Sequence, residues 1–142
     1  MDSNIYFHSE CDFDSNSVSS YLHALTRLIK EEKMNLGVIN YIFCDDSYLL
    51  EKNQIFLKHN TLTDIITFDY SEKKVLNADI FISIDRVKEN AINFVVPFDS
   101  ELRRVMIHGI LHLIGYKDKT DKEKVQMREK EDFYLENMFV NN

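Results

Sequence analysis

The sequence predicts a mixed-sheet α/β domain over residues 1–142, with a buried helix that carries a pair of metal-type ligands. Three observations point there. β-rich runs and helical-period runs alternate as βαβα, then two strands, then helices. Hydrophobic residues make up 44% of the chain, against three Gly and one Pro, which supports a packed core rather than disorder. Two histidines stand four residues apart inside an apolar helical run, His108 and His112.

The elements follow in order. Ile5 to His8 reads as a short strand. Asp14 or Ser15 caps a helix to about Lys33, with Val18, Tyr21, Leu22, Leu25, Leu28 and Ile29 at helical spacing. Leu36 to Cys44 is β-branched and aromatic, and predicts a strand. Asp45, Asp46 or Ser47 caps a second helix to about Leu57. Lys58 to Thr63 is polar and reads as a loop. Asp64 to Tyr70 and Asp79 to Ile84 alternate as strands, and Ser71 to Lys74 between them suggests a hairpin-like pairing. Asp85 to Phe94 reads as a short helix ended by Pro97, and Asp99 or Ser100 caps the next. That next helix buries Leu102, Val105, Met106, Ile107, Ile110, Leu111, Leu113 and Ile114. Asp121 opens a charged last helix with Val125, Met127, Phe133, Tyr134 and Met138 for packing.

The histidine pair carries the chemistry. Residues i and i+4 of a helix project from one face, so His108 and His112 can present two imidazoles to one ion. Gly115 is a natural stop, because glycine accepts the left-handed backbone that ends many helices. The chain can then return Asp118 as a third ligand. Two imidazoles and a carboxylate suit Zn²⁺ and leave a fourth position open, as in catalytic sites. The spacing alone is a weak signal, and two core histidines with ordinary partners are the bland alternative. Peptidase chemistry is disfavoured, because Gly109 occupies the place of the general-base Glu in zinc proteases.

The net charge of −7 disfavours broad nucleic-acid binding but leaves room for a local basic patch. Arg104 lies one turn before His108 on the same face, which leaves open whether it faces the site or pairs with a carboxylate. Lys58, Arg104, Lys117 and Lys119 are the RNA-contact candidates, while Lys122 and Lys124 read as a solvated face. Asp64 either orients a ligand imidazole or serves a turn. His8, His23 and His59 read as surface or core residues. Cys11 and Cys44 read as reduced thiols. Neither a signal peptide nor a membrane span is visible, so the expected location is cytoplasmic.

The segment His108-Gly-x-Leu-His112-Leu-x-Gly115-Tyr116 resembles the histidine motif of the YbeY family of bacterial metal-dependent endoribonucleases. Asn53, Phe56 and the run Thr63-Asp64-Ile65-Ile66-Thr67-Phe68 are similar to the family's Asn…Tyr-Arg…Thr-Asp-Val-Leu-Ser-Phe block. Ala78-Asp79-Ile80 resembles its Gly-Asp step into a strand. The resemblance implies a single α/β domain with a zincin-like metal helix. It also implies 16S rRNA maturation and ribosome quality control, one zinc per chain, and rRNA with ribosome-associated proteins as partners.

Two departures matter. Lys117 and Asp118 stand where the family has Asp-His, the His being its third zinc ligand. Asp118 keeps the spacing and offers a harder oxygen ligand, which admits Mn²⁺ or similar ions more easily. Leu57 stands where the family has an Arg tied to the phosphate. Arg104 and Lys58 are the cations placed to substitute. The expected set is therefore His108, His112 and Asp118 on the ion, with Arg104 or Lys58 on the phosphate. Two other readings fit the same residues: a hydrolase of another phosphoester, and a non-catalytic ribosome-associated metal-binding factor.

Overall fold

A computed structural model describes residues 4–57 and 63–139. In chain order the strands and helices are β1 (Asn4–Ser9), α1 (Leu22–Glu31), β2 (Asn35–Cys44), α2 (Asp46–Leu57), β3 (Ile65–Asp69), β4 (Val75–Ser83), α3 (Ile84–Phe94), α4 (Phe98–Ile114) and α5 (Asp121–Asn137). The sheet order is β1-β2-β4-β3. β2 runs parallel to β1 and β4, and β3 closes the edge antiparallel to β4 as the expected hairpin. β2 and β4 are the central strands, and their inward residues Ile39, Tyr41, Phe43, Ile80 and Ile82 are fully buried.

The histidine helix α4 is the spine of the core. Leu102, Val105, Met106, Ile107, Ile110, Leu111 and Leu113 are all buried, each contributing roughly 1.5–3 kcal/mol by leaving water. The Tyr41 hydroxyl donates to the Met106 carbonyl at 2.7 Å, tying β2 to the middle of the helix. Gly109 sets the helix against the sheet. A Cβ there would lie 3.0 Å from Ile65 Cδ1 and 3.3 Å from Ile80. A glutamate at 109 would therefore run into the sheet.

Gly115 ends α4 with φ +125°, and the Tyr116 N–H returns to the Leu111 carbonyl at 3.1 Å. The chain reverses there, which brings residue 118 back beside His108. Thr120 and Glu123 then form a reciprocal capping box that starts α5.

Several elements differ from the sequence reading. The first helix is split: Ser15–Tyr21 is a 3-10 segment capped by Asp14, and the α-helix starts at Leu22. The Ser17 and Ser19 hydroxyls donate to the Asp14 and Asn16 carbonyls, the local competition that loosens α-helix in serine-rich runs. β4 starts at Val75 rather than Asp79, because Val75 and Leu76 already pair with Asn35 and Leu36. The alternation is interrupted at Asn77, whose side chain accepts from the Val38 N–H at a register shift.

Neither Asp99 nor Ser100 caps α4. Its N-cap position is Pro97, and Asp99 and Glu101 sit in the first turn, where the helix dipole favours anions. α3 is capped by Ser83, which accepts from the Arg86 N–H. On α5 only Met127, Glu131 and Tyr134 are buried, so Val125 and Phe133 stay exposed rather than packing.

Candidate functional site

A cavity of about 750 Å³ opens between α3, α4, α5, the start of β3 and the turn after α4. His108, His112, Asp118, Asp64, Arg104 and Glu131 are among its walls. The predicted ligands thus share one space, and α4 supplies two of them because its 108/112 face is not the face seated on the sheet.

The His108 ring is held at both nitrogens. Nδ1 lies 2.8 Å from Glu131 Oε2, and Nε2 lies 3.2 Å from Asp118 Oδ2. Burial opposes a charge on this ring, but the Glu131 hydrogen bond and charge, with Asp118 and Asp64 behind them, hold it above the usual histidine range. His112 is exposed one turn further along the same wall. Among the described residues no three His, Cys, Asp or Glu side chains are drawn together as a finished ligand shell.

The donor chemistry nevertheless fits a metal. A carboxylate fixes one ring nitrogen of His108 and leaves the other facing the cavity, the arrangement that orients histidine ligands in metal sites. Two tetrahedral zinc ligands sit about 3.4 Å from each other, close to the observed separation of Nε2 and Oδ2.

Arg104 faces the cavity and also pairs with carboxylates, so both readings left open by its spacing are true. Nη1 donates to Glu131 at 2.9 Å and Nη2 to Asp132 at 2.7 Å. Burial works against its charge, yet these two bonds raise its affinity for the proton further. Asp64 accepts from the Asn90 amide at 3.3 Å. Burial raises its carboxyl above the usual range, with the His108 charge pulling the other way. Glu101 is buried on the same wall and is likewise pushed up by burial, with Arg104 pulling it back.

The other candidates divide. Lys119 lines the cavity. Lys117 is exposed and not part of that lining; its charge acts on Glu123 at the start of α5. Lys58 and His59 lie outside the described residues. His8 bonds Asn40 across β1 and β2, a structural contact.

Sequence reasoning missed Glu101 and Glu131. Glu101 had a signal: residues 101, 104, 108 and 112 form one helical stripe. Glu131 had a fainter one, as the charged residue between Met127 and Tyr134 on the buried stripe of α5.

The fold and this site define a class: a mixed-sheet α/β domain whose polar cavity is built on a histidine helix. Comparison with known proteins narrows it. The family model for Endoribonuclease YbeY matches residues 5–139. A protein named Endoribonuclease YbeY from Flavobacterium psychrophilum is 55% identical over 128 residues, covering 90% of this chain and 91% of the relative. One of the same name from Amoebophilus asiaticus is 43% identical over 141 residues, covering 96% and 94%. The solution structure of a Thermotoga maritima protein is similar with a TM-score of 0.72 at 32% identity, covering 95% of this chain and 89% of the other. The chain belongs to the YbeY family, whose named members are endoribonucleases and hence nuclease-type hydrolases.

Proposed function

We propose that this chain is a zinc-dependent endoribonuclease that cuts single-stranded segments of RNA, acting in the cytoplasm in 16S rRNA maturation and ribosome quality control. α4 serves as a zincin-like metal helix. His108, His112 and Asp118 hold one ion, and Asp118 makes the site more tolerant of Mn²⁺ than three imidazoles would. When bound, zinc lowers the pKa of a coordinated water to about 7 and polarises a phosphoryl oxygen.

The observation that carries this reading is the His108 ring, fixed through Nδ1 by buried Glu131 while Nε2 meets Asp118 in the cavity. Family membership supports the RNA substrate. The described residues include no helix long and apolar enough to cross a membrane.

The remaining roles fall to this chain's own groups. Glu131 fixes the tautomer and direction of His108. Arg104, already braced by Glu131 and Asp132, offers its remaining N–H groups to a phosphate oxygen without having to be ordered first. Lys119 adds positive charge on the cavity wall, and Lys58 is a further phosphate-contact candidate by sequence. Asp64 and Glu101, both raised by burial, are the carboxyls placed to carry a proton.

Metal content and cleavage of a structured rRNA fragment, measured on the parent, His112→Ala and Asp118→Ala, test the reading. Both properties are expected to fall together in the variants while the far-ultraviolet spectrum is unchanged. Undiminished cleavage by metal-free protein would overturn it. The engagement of the Arg104 fork by two carboxylates favours a second reading, a metal-binding ribosome factor without activity. Metal bound stoichiometrically with no cleavage of any RNA would decide for that one.

A further inference from the structure

The end of α3, which meets the cavity at Phe94, carries apolar surface that the core does not use. Ile92 is 73% exposed, Phe94 56% and Val95 87%, and Val96 is also exposed. Phe94 lines the cavity one helical turn beyond Asn90, whose amide reaches Asp64 inside it. Val95 holds φ 55° and ψ 52°, the left-handed region that a β-branched residue rarely enters. Its N–H bonds to the Ala91 and Ile92 carbonyls, so the strained turn ends α3 with Phe94 at the rim. Strain and exposed apolar surface at one place are both unfavourable to the isolated fold, which directs attention to a ligand.

Charge narrows the kind of ligand contact. Among the described residues the cavity wall has four carboxylates, Asp64, Glu101, Asp118 and Glu131, against three cations, Arg104, Lys119 and Arg128. The whole chain is at −7. The wall's own side chains therefore add little phosphate attraction beyond that of the ion the site would hold, whereas stacking of a base on an aromatic ring is independent of net charge. Single-stranded RNA offers unpaired bases for such contacts.

We propose that Phe94 is the platform on which an unpaired RNA base stacks as the strand enters the cavity. This rests on the RNA reading given above. It assigns Phe94 a role in binding and strand placement rather than in bond cleavage.

The chain contains no tryptophan, so Phe94→Trp installs a lone indole at the rim. The probe is a 2′-O-methyl oligoadenylate of about eight nucleotides, verified intact after each titration, with an abasic oligomer of equal charge beside it. The indole is expected to be quenched by the oligoadenylate and not by the abasic strand. Phe94→Ala is expected to weaken oligoadenylate binding about tenfold, equally at low and high salt, with Phe94→Tyr restoring it. An indole that stays unquenched in protein that binds the oligomer overturns the proposal, as does an alanine effect that disappears at high salt. Either result leaves the RNA reading intact if the parent still cleaves RNA. A parent that neither binds nor cleaves RNA overturns both.

Discussion

Glu131 has a side chain only 6% exposed and serves two basic groups at once, the Arg104 fork at 2.9 Å and the His108 ring at 2.8 Å. Removing it leaves a half-paired guanidinium in a partly buried place, a change that typically costs about 3–5 kcal/mol. Glu131→Ala is therefore expected to lower the urea midpoint far more than Asp132→Ala, whose carboxylate is half exposed. Equal losses in the two variants would contradict this. Glu131→Gln keeps the shape, and its signature is weaker metal retention by about 10–100-fold, the usual effect of losing a carboxylate behind a histidine ligand. At this scale the sequence was partly legible. The 108/112 spacing and the Gly115 turn placed three side chains in one cavity, because helix geometry and a glycine stop are local properties. Glu131 was barely legible: its place on the Met127 and Tyr134 stripe says that it faces inward, but not that α4 and His108 lie opposite.

At the scale of elements, one partly buried carboxylate joins three segments. Glu32, just past the end of α1, accepts from the Tyr116 hydroxyl at 2.6 Å, from Lys130 Nζ at 3.1 Å and from the Tyr134 hydroxyl. These bonds hold the turn after α4 and the middle of α5 against α1. Burial opposes the charge on Glu32, but the three donors outweigh it and lower its pKa below 4.5. Its contribution to stability is thus fully present above that ordinary value and is lost as pH falls through the lower folded value. Glu32→Gln is expected to be less stable than the parent by about 1–3 kcal/mol at pH 7, with the gap narrowing as the solution becomes acid. Urea unfolding across pH reads this directly, and a gap that widens toward acid would refute it. Helix and strand identities were legible here from period and β-branching. The split first helix and the early start of β4 were not, because serine back-bonding and pairing with β2 decide them.

For the whole molecule, the alternation of strands and helices announced an α/β domain and the β3–β4 hairpin. The order β1-β2-β4-β3, with β4 inserted between β2 and β3, was not readable, since it depends on which buried strands pair across the core. That order seats α4 over the centre of the sheet and opens its 108/112 face to the cavity. It also concentrates carboxylates around the histidines of an already acidic chain. In the function proposed above, this cavity holds one ion on which RNA cleavage depends. The most direct measurement titrates zinc into chelator-stripped protein and follows RNA cleavage at each step. Cleavage is expected to rise in proportion to occupancy and to level off at one ion per chain. Cleavage already complete in the stripped protein, or absent at full occupancy, would contradict the claim.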